Sequence, residues 1–319
     1  MNQAIERIIA ARDRITPYTL QTPVLRLHAL DKYLGCKVHV KAECLQLTGA
    51  FKLRGAMNKM LQLTPEQLRC GVVAASSGNH GKALSYAARM LGAKATIVIP
   101  NTAPDIKVNA IRGLGAEVVR SETATRFAAA QAIADKTGAT IVHPFNDEEI
   151  MFGQGTMGLE ILEQMPELHA VVVPVSGGGL IGGVSTAIKE TSPGVSVIGA
   201  EPAQLPRYTE SLAAGQPVTI EQKATIADAL VSNRPGDVCF PYVQRHVDRM
   251  VTVPDENILQ AAKLLLLDGH LLAEFSSAIG IGAVLSGKLR FAPDQNVCFV
   301  VSGGSVDLPQ LDALKNASY

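Results

Sequence analysis

The chain has 319 residues, enough for one large domain or two smaller ones around a sizeable buried core. Its 29 basic and 29 acidic residues cancel, and no long run of one sign occurs, which argues against nucleic acid or a membrane surface as the main partner. The seven histidines show no metal-ligand spacing and the five cysteines (Cys36, Cys44, Cys70, Cys239, Cys298) form no CxxC, so reduced thiols and a cytoplasmic protein are expected.

From the N-terminus, residues 1–15 mix charged and apolar side chains without the apolar core of a signal peptide. The segment Thr48-Gly-Ala-Phe-Lys-Leu-Arg-Gly-Ala56 then places Lys52 between an aromatic residue and a predicted helix start, among small residues. A lysine there is either a solvated surface charge or a desolvated amine nucleophile. Strands are predicted at Val72–Ala75, Thr96–Ile99, Glu117–Val119 and Thr140–Val142, with helices at Lys82–Leu91, Asp105–Gly113 and Arg126–Lys136 between them. The rhythm returns with strands at Val171–Val175, Val195–Gly199 and Val297–Val301. Continuous apolar strands alternating with helices imply parallel sheets covered on both faces, with ligands outside the strands' carboxyl ends. The uncharged stretch Ala170–Ile188 is broken by Pro174 and five glycines and is too interrupted for a membrane span. No element is assigned in the irregular region Gln204–Cys239.

Three glycine-bearing turns fall at predicted strand ends. Val175-Ser-Gly-Gly-Gly-Leu-Ile-Gly-Gly183 follows a strand and opens a helix, so unobstructed backbone N–H groups meet a favourable helix field. It matches neither the dinucleotide fingerprint nor the nucleoside-triphosphate loop and points to a small phosphorylated ligand, the alternative being a tight turn without one. Ala75-Ser-Ser-Gly-Asn-His-Gly81 offers donors for a carboxylate or a ring's polar edge, or is an N-cap and turn. Val301-Ser-Gly-Gly-Ser-Val-Asp307 ends the last strand and places a neutral hydroxyl, Ser302, at its tip.

Together these segments resemble the serine/threonine dehydratase and serine racemase family of pyridoxal-phosphate enzymes, of fold type II (tryptophan synthase β-like). The likeness runs from Thr22-Pro-Val-Leu to Leu308, with the four motifs in the family's order. It implies an α/β fold of two doubly wound domains with mainly parallel sheets, 1–68 plus 148–319 forming the large cofactor-binding domain and 69–147 the small one. Carried over, it implies pyridoxal phosphate bonded to Lys52, with Phe51 against the ring and Asn79 on its 3-hydroxyl. Ser176, Gly177, Gly178, Gly179 and Leu180 would hold the phosphate, and Ser302 would face the pyridine nitrogen. Ser76, Ser77, Gly78, Asn79 and His80 would receive the substrate carboxylate, with Arg126 a second contact and Gln154 at the pocket's border. A homodimer is implied as well.

A neutral serine at the ring nitrogen, unlike an aspartate, leaves the cofactor a weaker electron sink. Expulsion of a β-hydroxyl is then favoured, and the expected reaction is dehydration of L-threonine or L-serine to a 2-oxo acid and ammonia. Two alternatives stand beside it. With Ser77 as a second base on the opposite face, the chain would racemise serine or act on 3-hydroxyaspartate; with a pocket that admits another nucleophile, it would be a β-replacement transferase.

The chain also departs from the family pattern. Ala50 stands where serine is usual, Ala229 where glycine is usual, and the helix start after Glu274 reads Phe-Ser-Ser-Ala. Metal-dependent members bind a divalent cation at a site matched here by Glu201 and the carbonyl of Leu205, but Arg207 stands in place of the acidic ligand. No metal is therefore expected, and Arg207 is expected to pair with Glu201 as a permanent cation. The chain ends at Tyr319, soon after Asp307, so feedback control through the C-terminal domain of biosynthetic threonine dehydratases is not expected.

Overall fold

A computed structural model describes residues 3–76, 78–103 and 105–315 of the protein. Ten strands run in chain order as β1 (Val24–Arg26), β2 (Lys37–Ala42), β3 (Val72–Ala75), β4 (Ala95–Pro100), β5 (Glu117–Ser121), β6 (Thr140–Ile141), β7 (Ala170–Pro174), β8 (Ser196–Pro202), β9 (Arg249–Val253) and β10 (Asn296–Val301). They form a six-stranded sheet ordered β1-β2-β10-β7-β8-β9 and a four-stranded sheet ordered β5-β4-β3-β6. Every pairing is parallel except β1 with β2.

The unbroken apolar strands follow from burial on both faces. On one face of the larger sheet Val38, Val172 and Phe299 pack with Ile258, Ala261 and Ile279 from the helices Asp255–Leu267 and Phe275–Leu285. On the other, Val171, Val173, Cys298 and Val300 meet the helices Glu148–Gln164 and Gly179–Thr191 through Met157, Ile161, Ile181 and Val184. The smaller sheet repeats the pattern. Val72, Ala74, Ile97 and Ile99 face the helix Asn79–Met90, while Val73, Ala75 and Val98 face Arg126–Thr137.

The sequence expectation for β8 stopped at Gly199, but the strand continues to Pro202 because Glu201 and Pro202 pair with Thr252 and Val253 of β9. That partner was not predicted. The unassigned region holds a helix, Arg207–Ala214, among turns. Among the described residues no helix is long and apolar enough to cross a membrane.

Arg54, within the Lys52 segment, centres a buried ionic cluster. The Arg54 guanidinium donates to Glu43 Oε1 and Oε2 at 2.8 and 2.9 Å and to Glu160 Oε1 and Oε2 at 2.6 and 2.8 Å. Lys41 Nζ completes it, 2.6 Å from Glu160 Oε2. Two cations thus balance two carboxylates out of water, and the cluster ties β2 to the helices Lys52–Met60 and Glu148–Gln164. Removing one partner strands a buried charge. Arg54→Met is accordingly expected to lower the unfolding free energy by about 3–5 kcal/mol, read from urea titration; a change under about 1 kcal/mol would show that the cluster is dispensable.

Candidate active site

The carboxyl ends of β3, β7 and β10, the start of the helix Lys52–Met60 and the turn after β6 enclose one cavity of about 890 Å³. Parallel α/β sheets place ligands at this location. Phe51, Lys52, Ser76, Gly78, Asn79, His80, Arg126, Ser176 through Leu180 and Ser302 all line it. Ser77, assigned above as a possible second base, lies outside the described residues.

Lys52 is the first residue of its helix, and Phe51 before it donates its backbone N–H to the Ser302 carbonyl at 3.0 Å. An antiparallel bridge from Ala50 to Gly303 holds the same junction. The Lys52 amine donates to the Pro144 carbonyl at 2.6 Å and sits 4.9 Å from the Phe51 ring centroid. Burial pushes its pKa down to about 8, so a neutral amine is accessible near physiological pH.

The glycine loop allows no side chains. A Cβ at Gly177 would lie 2.4 Å from the Phe145 ring, one at Gly178 1.8 Å from Tyr208 Oη, and one at Gly179 2.8 Å from Gln154 Oε1. The helix Gly179–Thr191 has no side-chain cap, so its first-turn N–H groups are left for a ligand. The loop is held from outside. Gly236 N–H and Tyr208 Oη donate to the Gly177 carbonyl at 2.9 and 3.2 Å, and Ser232 N–H donates to Ser176 Oγ at 3.3 Å. Gln154, expected at the pocket's border, is fully buried beside Gly179, with both amide atoms unpartnered.

Asn79 begins its helix and reaches across to Glu274, donating from Nδ2 to both carboxylate oxygens at 3.0 Å. Ser305 Oγ donates to Asn79 Oδ1 at 2.6 Å, which fixes the amide's orientation. Burial pushes the Glu274 carboxyl up to about 7, and the Asn79 bonds partly offset that. His80 donates nothing ionic: its Nε2 bonds the Val142 carbonyl at 2.9 Å, and burial, then Lys52, drives it down to about 3. Arg126 sits half-buried over the Phe127 ring at 4.7 Å and donates to the Thr123 carbonyl.

Sequence reasoning missed several contributors. The turn His143–Asn146 presents Pro144 O to Lys52 and Phe145 to the glycine loop, organised by His143 Nδ1, which accepts from Asn146 N–H at 2.8 Å. Glu274 was noticed only as a landmark, and Tyr208 not at all.

One expectation is corrected outright. Arg207 is fully buried but makes no ion pair with Glu201. Its guanidinium donates to the carbonyls of Val175 and Leu230, both at 2.9 Å, while Glu201 accepts from the N–H groups of Tyr208 and Thr209 at 2.9 and 2.8 Å. The carboxylate is satisfied by a helix N-terminus, so the cation is free to brace the residue before the glycine loop. Among the described residues no group of three or more His, Cys, Asp or Glu side chains is placed to hold a metal.

Known proteins resemble this chain along nearly its whole length. Residues 15–303 match the family model described as pyridoxal-phosphate dependent enzyme. An L-threonine ammonia-lyase of Thermotoga maritima is 42% identical over 314 residues, covering 98% of this chain and 78% of that protein. A serine racemase of Arabidopsis thaliana is 43% identical over 314 residues, covering 96% and 95%. The structure of maize serine racemase superposes with a TM-score of 0.93 at 39% identity over 96% of this chain and 95% of that one. Pyridoxal phosphate also fits the site's own chemistry. An uncapped helix start and side-chain-free loop suit a phosphate, a desolvated lysine suits an aldehyde, and the buried Gln154 amide beside the loop lacks partners. On the match across residues 15–303, the chain belongs to the family of pyridoxal-phosphate dependent enzymes.

Proposed function

We propose that the protein is a lyase that removes water from a β-hydroxy amino acid such as L-threonine or L-serine, releasing a 2-oxo acid and ammonia. The observation that carries this is the Lys52 amine, held at the cavity wall with its pKa lowered to about 8, on the same junction as a neutral Ser302 hydroxyl. When bound, pyridoxal phosphate supplies the aldehyde that takes the substrate amine and the conjugated ring that stabilises charge at its Cα.

The chain's residues do the rest. The N–H groups of Ser176 through Leu180 would hold the phosphate, Phe51 would pack on the ring, Asn79 would bond its 3-hydroxyl and Ser302 would face its nitrogen. Ser76, Gly78, Asn79 and His80 receive the substrate carboxylate, with Arg126 at the mouth. With cofactor and substrate bound, the Lys52 amine would take the Cα proton; its lowered pKa makes the neutral, basic form available. The proton Lys52 holds would go to the departing β-hydroxyl, which leaves as water, and a second water would hydrolyse the dehydrated amino acid to the 2-oxo acid and ammonia. The protein works as a homodimer in the cytoplasm on this reading.

Inversion at the same carbon is the second reading, supported by a serine racemase relative at 43% identity beside a threonine ammonia-lyase at 42%. Both outcomes begin with loss of one proton, so a single assay separates them: 2-oxo acid and D-amino acid measured together from L-threonine, L-serine and the 3-hydroxyaspartates. Dehydration is expected to be faster, with rates unchanged by chelator because Arg207 stands where a metal ligand would. D-serine formed faster than pyruvate would reverse the ranking, and chelator inhibition relieved by magnesium would overturn the role given to Arg207.

The amine's pKa has its own consequence. Capture of pyridoxal phosphate by the cofactor-free protein should accelerate about tenfold per pH unit below pH 8 and level off above it, followed by absorbance after rapid mixing. A rise continuing to pH 10 would mean an ordinary, solvated lysine.

A further inference from the structure

In the first turn of the helix Phe275–Leu285, Ser277 lies directly behind Ser302. Its Oγ is 2.9 Å from Ser302 Oγ, 2.9 Å from the Gly303 carbonyl and 2.8 Å from the Gly303 N–H, and both serines are buried, 3% exposed. The Gly303 N–H occupies one lone pair of Ser277 Oγ. The Gly303 carbonyl already accepts the Glu274 N–H at 3.1 Å. The single Ser277 proton therefore has two acceptors, and one of them does not need it.

We propose that Ser277 is a positioning residue for the cofactor's ring, acting through Ser302. When Ser277 donates to Ser302 Oγ, the Ser302 proton is free to point into the cavity as a donor. When Ser302 donates back, the Ser277 proton turns to the Gly303 carbonyl and Ser302 offers only lone pairs. The two arrangements differ by rotation of two hydroxyls, with no heavy atom moving and no buried group left unsatisfied. A lone serine offers one arrangement without a penalty; this pair offers both. The inference rests on the reading that Ser302 faces the ring nitrogen.

The test is a double-mutant cycle on pyridoxal phosphate affinity, measured by absorbance and fluorescence titration of the cofactor-free protein with Ser277→Ala, Ser302→Ala and both. Ser277→Ala is expected to weaken binding about fivefold to tenfold with Ser302 present, and less than about twofold without it. Ser277→Thr, which keeps the hydroxyl, should bind as the native protein does; Ser277→Cys, a weaker hydrogen-bond former of similar shape, should fall between and serves if the alanine variant folds poorly. Equal losses in both backgrounds would make Ser277 a structural residue only and overturn the proposal, as would no loss at all. If Ser302→Ala alone leaves affinity unchanged, the reading of Ser302 fails; if it weakens binding and Ser277→Ala does not, only the inference about Ser277 fails.

Discussion

Lys52→Ala should reduce turnover of any amino-acid substrate by at least about 10³-fold and shift the bound cofactor's near-visible absorbance to that of the free aldehyde. On the proposed mechanism the loss is large because one atom serves twice, as the anchor for the aldehyde and as the base for the Cα proton. The cavity's other titratable groups are poor replacements: Lys107 pairs with Asp228 at 3.2 Å, and Lys82 Nζ lies 3.5 Å from Ser305 Oγ. His80 and His143 line the same cavity, and burial, the larger cause of their lowered pKa, persists when the Lys52 charge is removed, so as free imidazoles they stay weak bases. Glu274, at about 7, is tied to Asn79. The phosphate loop is untouched by the substitution, so the variant should still bind pyridoxal phosphate reversibly, and added methylamine should restore part of the rate. A variant retaining a tenth of native activity would remove Lys52 from the chemistry.

Gly178→Ala should be nearly as damaging, by a different route. Gly178 has φ +103°, which L side chains rarely adopt, and its Cβ would sit 1.8 Å from Tyr208 Oη and 3.0 Å from Cys239 Cβ. Tyr208 cannot move aside, because it is fully buried and its hydroxyl bonds the Gly177 carbonyl. The loop must therefore shift, and its N–H groups with it. Strain and displacement together should weaken pyridoxal phosphate binding by about 100-fold, on the order of 3 kcal/mol. Gly194→Ala is the control: a Cβ there meets nothing within 4 Å, so affinity should be unchanged. Equal behaviour of the two variants would mean that the loop does not hold the phosphate.

What could be read from the sequence was local. The strand, glycine run and helix at Val175–Gly183 and the lysine at a helix start are each contiguous, and chemistry follows from their composition alone. The parallel sheets were legible for the same reason, as unbroken Val and Ile runs. Glu274 was not, because its role comes from Asn79, 195 residues earlier in the chain. Ser277 looked like an unusual helix start, and only the fold brings it to Ser302. Arg207 shows the intermediate case. Its residue type rules out a metal ligand, yet the helix N-terminus that satisfies Glu201, and so frees Arg207 to brace Val175, is visible only in three dimensions.

The central claim is that Lys52 carries the cofactor. The holoenzyme reduced with borohydride, digested and analysed by mass spectrometry should bear a single phosphopyridoxyl group, on the peptide containing Lys52. A label on Lys82 or Lys107, which line the same cavity, would contradict it.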